Sequence, residues 1–233
     1  MIIKKHAFTL AEVLITLGVI GVVAAVTLPA VIQNYQKHAV ETQIKKAYSM
    51  FNQALQMSVA QNGEAKYWDE TLGANNAENS RLFTEKYIVP YLKGVNFCGG
   101  REDINANKCS ATCGVGEARY SLPNGISFAV CKYLNAKQSM VLTINIDNSA
   151  KNAGIGKNKF TFNYNLDNGK LLPWYYDASK TAEEYINGFV VPEGYKVACK
   201  KVEDDENVTT YLRHTCTALL YINNWKIPKN YPW

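Results

Sequence analysis

The chain has 233 residues, of which 47% are hydrophobic, 12% aromatic and 19% charged. With 15 glycines and 7 prolines it is not collagen-like, and its aromatic content excludes a disordered chain. The mean hydropathy of −0.20 excludes a multi-spanning membrane protein but allows a single span. The formal net charge of +5 is too small to indicate a nucleic-acid partner.

The amino terminus joins a short basic segment, residues 1–7, to a long apolar run, residues 8–32. A helix over this run would be about 37 Å long, enough to cross a hydrocarbon core of about 30 Å. The basic residues precede the run and would stay in the cytoplasm, so the rest of the chain would be exported. The run is also longer than the apolar core of a secretory signal peptide.

Glu12 is the one ionisable residue in the apolar run. A carboxylate in a membrane span costs up to about 3 kcal/mol. The apolar side chains of the run contribute about −4 to −8 kcal/mol, so the segment still inserts. Because the acid opposes insertion, we interpret it as functional. The alternative is a tolerated acid near the membrane surface, stabilised by the positive end of its own helix.

These residues resemble the prepilin cleavage and methylation segment shared by type IV pilins and type II secretion pseudopilins. Lys4, Lys5 and His6 match the basic leader, and Glu12 lies four residues after Phe8, as in the family. Pro29 is placed like the helix-breaking proline that is typical there. Ala7 stands where the family usually has glycine, but it keeps the small size at the cleavage site.

The resemblance implies a structural filament subunit and not an enzyme. A prepilin peptidase would cut between Ala7 and Phe8 and methylate the new Phe8 amine. Glu12 would then pair with the Phe8 amine of a neighbouring subunit, or with that of its own chain. The small residues Gly18 and Gly21 would let neighbouring helices approach closely. Pro29 would kink or loosen the helix.

The resemblance also implies partners and a location. The expected partners are copies of the chain or other pilins, prepilin peptidase and an inner-membrane assembly platform. The chain would cross the bacterial inner membrane once, with its head in the periplasm or outside the cell, assembled into a pilus or pseudopilus. Two alternatives stay open: a membrane-anchored adhesin or binding protein that does not polymerise, and an anchored enzyme of unrecognised type. No cofactor, metal or nucleic acid is expected.

Beyond the apolar run, the helix is expected to continue as an amphipathic segment over residues 33–62. We call residues 8–62 the stem and residues 63–233 the head. Asn62-Gly63 signals the end of the helix. Mostly apolar residues at spacings of three and four form one stripe that would pack on the head: Val40, Ile44, Ala47, Phe51, Ala54 or Leu55, and Ser58 or Val59.

The head is predicted to contain an antiparallel sheet. Residues 140–146 and 160–166 alternate between apolar and polar, and residues 123–125 (Pro-Asn-Gly) favour a hairpin turn. Thr181 and Glu184 have capping-box spacing, which predicts a short helix. Residues 216–222 fit a helix or a strand. The fold class is therefore α+β, with a long amino-terminal helix packed on an antiparallel sheet, as in pilins.

All six cysteines lie in the head, and an even number in an exported domain predicts disulfides. Cys199 and Cys216 stand apart from the others and are predicted to pair; the resemblance to pilins favours the same carboxy-terminal loop. The pairing of Cys98, Cys109, Cys113 and Cys131 is left open.

Two polar segments and an aromatic tail complete the head. The loop 145–159 carries one acid, Asp147, and the acidic run 203–206 is interpreted as a solvated loop, so calcium is not expected at either. The tail, residues 225–233, is predicted to pack on the head, with exposure as a partner contact as the alternative.

Overall fold

The computed structural model describes residues 9–68, 76–100, 109–114, 116–133, 139–148, 154–200 and 213–233, with the backbone alone for residues 132 and 133. The chain divides into two compact units, one ending at Ala39 and one running from Val40 to Trp233, and the boundary lies inside the first helix. The described helices are α1 (Leu10–Asn62), α2 (Ala77–Tyr87), α3 (Ala182–Asn187) and α4 (Cys216–Ile222), with 3₁₀ turns at Ala65–Tyr67 and Val89–Tyr91.

Helix α1 is 53 residues long and confirms the predicted long amino-terminal helix. It ends at Asn62, where the next residue, Gly63, has a φ of +79°. Glycine adopts this left-handed conformation without steric cost, which is why it commonly follows a helix. The proposed division of the helix at residue 32 into a membrane half and an amphipathic half stays a prediction.

Six strands form one antiparallel sheet in which the spatial order follows the chain order. They are β1 (Asn96–Gly100), β2 (Ala118–Ser121), β3 (Ser127–Tyr133), β4 (Ser139–Asn145), β5 (Lys159–Asn165) and β6 (Lys170–Pro173). Two short strands, β7 (Phe189–Val190) and β8 (Lys196–Val197), pair separately. The predicted α+β class and antiparallel sheet are confirmed.

Three short segments of the head, a turn and two helices, can be compared with what their sequences predicted. The turn between β2 and β3 has Gly125 at a φ of +79°, and Leu122 N–H donates to Ile126 O at 2.8 Å. Thr181 caps α3 with a full capping box to Glu184. Residues 216–222, which fitted a helix or a strand, form α4.

The sheet has two faces with different chemistry. We call inner the face that carries Met140, Leu142 and Ile144 from β4, with Phe160, Phe162 and Tyr164 opposite them on β5, all buried. The second half of α1 packs on this face through its predicted stripe, whose buried members include Ile44, Ala47, Phe51 and Leu55. The ring centroids of Phe51 and Phe128 are 5.0 Å apart. This contact forms the core.

The aromatic tail completes the same core. Trp225 and Tyr231 are each only 6% exposed, and the Trp225 ring centroid lies 4.9 Å from that of Tyr48 on α1. The Glu41 carboxylate, also on α1, accepts hydrogen bonds from Lys226 Nζ and from Ile227 N–H, both at 2.9 Å. Glu41 is 7% exposed, so this buried carboxylate binds the tail to the helix.

Three disulfides join all six cysteines, which confirms that the head is disulfide-bonded. Cys199 is bonded to Cys216, the pair singled out in the sequence, and this bond links the segment after β8 to the first residue of α4. The pairs left open are Cys98 with Cys109 and Cys113 with Cys131.

Some predictions fall on residues that the structure does not describe. The acidic run 203–206 lies outside the described residues, as does the middle of the polar loop, residues 149–153. The expectation that neither segment binds calcium therefore stays a prediction.

Replacing Glu41 by glutamine should lower the free energy of unfolding by about 1–2 kcal/mol, because a buried acceptor of two hydrogen bonds loses its charge opposite Lys226. The measurement is guanidinium unfolding of the full-length protein in detergent, followed by tryptophan fluorescence. Glu85→Gln is the matched control, since Glu85 makes a half-exposed ion pair with Arg81 at 2.9 Å. Equal losses in the two variants would contradict a special role for Glu41.

The double variant C199S/C216S should lose about 3 kcal/mol of stability, because the bond closes a loop of intermediate length in the unfolded chain. Peptide mapping without reductant should recover the two other linkages unchanged in this variant. New linkages between Cys98 or Cys109 and Cys113 or Cys131 would show that the assigned pairing is wrong.

Candidate functional site: the amino-terminal helix and the outer face of the head

The first half of α1 has the length and composition of a membrane span, with a mean hydropathy of 2.4 in its most apolar window. No residue of that apolar stretch is buried by the described part of the chain. Large apolar side chains are exposed along it; Leu14, for example, is 62% exposed and Val22 67%. Such a surface requires an apolar environment, either lipid or other helices.

Glu12 bonds within its own chain in a way that the sequence analysis missed. Its carboxylate accepts hydrogen bonds from Thr9 N–H and Thr9 Oγ1, both at 2.8 Å, and Glu12 N–H donates to Thr9 Oγ1 at 3.3 Å. This is a capping box, which satisfies donors at the start of a helix. The signal was present in the Thr-x-x-Glu spacing. Phe8, the proposed partner of Glu12, and Ala7 lie outside the described residues.

Gly18 and Gly21 of the span do not pack against any other segment that the structure describes. A Cβ built at Gly18 or Gly21 would meet nothing within 4 Å among the described residues beyond the local helix backbone. Glycine in a helix costs about 1 kcal/mol relative to alanine. The expected role of these glycines in contacts with neighbouring helices stays a prediction. The helix continues through Pro29, so any loosening there stays a prediction.

One cluster among the described residues has side chains close enough to hold a metal: Cys113, Glu117 and Cys131. The disulfide between the two cysteines removes both thiolates as ligands. Glu117 instead accepts hydrogen bonds from Cys113 N–H at 2.6 Å and Gly114 N–H at 3.0 Å, and it forms a buried ion pair with Arg119. The cluster therefore holds the disulfide-bonded loop in place.

The outer face of the sheet, opposite the core, carries polar side chains and two cavities. The smaller cavity, about 270 Å³, is lined by Thr112, Lys159 and His214 among others. Lys159 Nζ donates to Thr112 Oγ1 at 2.9 Å, and burial lowers the pKa of Lys159. Burial, aided by the charge of Lys159, also lowers the pKa of His214 and favours its neutral form.

The larger cavity, about 660 Å³, we call the groove. Asn163 and Asn165 of β5 lie along it, and the aromatic residues 174–176 together with Phe189 contribute to its walls. Trp174 and Tyr175 line both cavities. No local pattern in the sequence marks these residues as a site, because their proximity depends on how the chain after β6 folds back on the sheet.

Comparisons with known proteins bear on both parts of the chain. Residues 30–233 match the model of a family described as a family of unknown function (DUF6613). Residues 3–28 match the prokaryotic N-terminal methylation motif. The chain is 28% identical over 104 residues to prepilin peptidase-dependent protein D of Escherichia coli (strain K12), an alignment that covers 44% of this chain and 68% of that protein. No solved structure matches the chain.

The methylation motif and this relative confirm the resemblance that the amino-terminal residues indicated. The chain therefore belongs to the family of unknown function DUF6613 and is a pilin-like or pseudopilin-like protein with a prokaryotic N-terminal methylation motif.

Proposed function

We propose that the protein is a structural subunit of a membrane-anchored helical filament, either a type IV pilus or the pseudopilus of a type II secretion system. The observation that carries the proposal is the coincidence of the methylation motif, residues 3–28, with the apolar first half of α1. The motif accounts for processing, and the uncovered apolar surface accounts for insertion in the membrane and for packing of helices in a filament.

The proposed life cycle begins in the inner membrane. The basic leader stays in the cytoplasm, α1 crosses the membrane once, and the head enters the periplasm, where an oxidising environment supports its three disulfides. Prepilin peptidase cuts between Ala7 and Phe8 and methylates Phe8. The subunit then joins copies of itself or other pilins through α1 on an inner-membrane assembly platform.

Glu12 has two roles in this proposal. Before assembly, the capping box with Thr9 supplies hydrogen bonds to the carboxylate and lowers the cost of holding it in the membrane. During assembly, the Phe8 amine of a neighbouring subunit supplies the opposite charge and fixes the axial register of the two helices.

Cleavage should depend on the size of residue 7. When the chain is expressed with a prepilin peptidase, mass spectrometry should find a mature protein that begins at N-methyl-Phe8. Ala7→Gly should be processed at least as completely, because glycine is the smallest residue. Ala7→Leu should retain the leader, because a branched side chain does not fit a cleavage site selected for small residues. An intact Met1 in the unaltered protein, with an active peptidase present, would refute the proposal.

Measuring filament assembly in two variants should distinguish the two roles of Glu12. Glu12→Ala should reduce filament yield at least tenfold while leaving membrane insertion intact, because the neighbour's amine loses its partner. Thr9→Ala is the matched control: it removes the capping hydroxyl and keeps the carboxylate, so it should assemble. Both variants are compared by shearing and electron microscopy and by membrane fractionation. Equal assembly defects would mean that Glu12 acts only as a helix cap.

A further inference from the structure

The groove on the outer face has a chemistry that filament assembly through α1 does not use. Its floor carries amide and hydroxyl side chains, because Ser139, Asn163 and Asn165 alternate with core residues along β4 and β5. Ser139 and Asn165 are cross-strand partners, and Asn163 lies opposite Val141. A floor of this kind offers donors and acceptors in fixed positions on a rigid sheet.

Four aromatic residues line the groove: Trp174, Tyr175, Tyr176 and Phe189. All four are half-buried, so each is supported by the protein and partly accessible. Tyr175 has a φ of +59°, a left-handed conformation that is unfavourable for a residue with a side chain. Its hydroxyl is 2.8 Å from that of Tyr195, which fixes the ring. Such strain is typical of positions where a side chain is held for a function.

Asn163 has an amide oxygen that lacks a hydrogen-bond partner among the described residues. The atom is buried, and a buried acceptor without a donor destabilises the folded state. The side chain is also one of those that line the groove. A ligand that donates a hydrogen bond at this position would relieve the unfavourable burial.

The charged residues of the groove limit the ligand. Among the residues that the structure describes, they are Lys170, Asp177 and Glu193, which sum to a net charge of −1. Asp177 accepts hydrogen bonds from Ser179 Oγ at 2.7 Å and Ser179 N–H at 2.8 Å, which lower the pKa of its carboxyl and keep it ionised. With Lys170 as the one cation among its described lining residues, the groove lacks the cluster of positive charges that binds phosphates, so nucleic acid and anionic lipid are not favoured.

We propose that the groove binds an uncharged oligosaccharide. Sugar rings have apolar C–H faces that pack on aromatic rings and hydroxyls that bond to amides and carboxylates, and the groove combines both kinds of group. Its volume of about 660 Å³ lies within the usual range for ligand sites. The floor residues Asn163 and Asn165 belong to β5, which is paired on both sides, so this floor offers side-chain and not backbone groups to a ligand.

The test uses the full-length protein in phosphatidylcholine nanodiscs, which avoid detergents with sugar headgroups. An array of uncharged and acidic oligosaccharides is screened first, and the strongest uncharged binder is then titrated by calorimetry. Trp174→Ala should weaken that binding at least tenfold. Tyr67→Ala is the matched control, because Tyr67 is an exposed aromatic residue of the head that does not line the groove, and it should bind normally.

A second pair of variants separates binding from folding. Asn163→Leu removes the unpartnered amide and should weaken binding at least tenfold while the unfolding midpoint stays equal or rises. Tyr164→Phe is the control, because it removes the other buried oxygen that lacks a hydrogen-bond partner among the described residues. Tyr164 points to the inner face and not into the groove. Its unfolding midpoint should therefore also stay equal or rise, while oligosaccharide binding is unchanged.

Three results would overturn the inference: no oligosaccharide bound above the Trp174→Ala baseline, binding restricted to acidic oligosaccharides, or normal binding by a folded Asn163→Leu variant. The assay needs neither leader cleavage nor filaments. Failure here therefore leaves the filament proposal standing, and failure of processing or assembly leaves this inference standing.

Discussion

The packing of the second half of α1 on the inner face of the sheet is the contact on which the head depends. Helical spacing places Ile44, Ala47 and Phe51 on one side of α1, and strand alternation places Phe128 and Phe162 on one side of the sheet. Two surfaces with different periods are buried against each other, which is the usual reason that a helix and a sheet form one core. The compact unit that contains the head therefore also contains the second half of the stem, from Val40 onwards.

That contact also determines the chemistry of the rest of the molecule. On β4 and β5, every second side chain is buried in the core. The side chains in between point to the outer face, and they include Thr, Ser and Asn. Likewise, the first half of α1 carries an apolar surface that no described part of the chain covers. The protein thus has one surface suited to lipid or other helices and another suited to polar ligands.

The features that the sequence predicted are those with a local signal. The 3.6-residue stripe defined the packed side of α1, the two-residue alternation defined β4 and β5, and Asn62-Gly63 defined the end of the helix. The methylation segment was identifiable because a basic leader, a small residue, Phe8 and Glu12 occur at fixed spacing. The Thr9–Glu12 capping box has an equally local signal in its Thr-x-x-Glu spacing, although it was not among the predictions.

The features that could not be predicted depend on contacts between distant segments. Four cysteines permit three pairings, and nothing local distinguishes Cys98–Cys109 from its alternatives. The groove requires β5 to lie beside residues 174–176 and Phe189, which are joined by folding and not by spacing. The tail was predicted to pack on the head, but its partner on α1 could not be predicted, because Glu41 is 185 residues from Lys226 in the chain.

The Glu41 contact has a consequence for the order in which the protein folds. Lys226 and Ile227 are made long after α1, yet both bond to a carboxylate on that helix. The core around Tyr48 and Trp225 therefore closes only after the chain has been made at least as far as residue 227. Under the proposed export of the head, chains cut short before Trp225 would stay open to proteases.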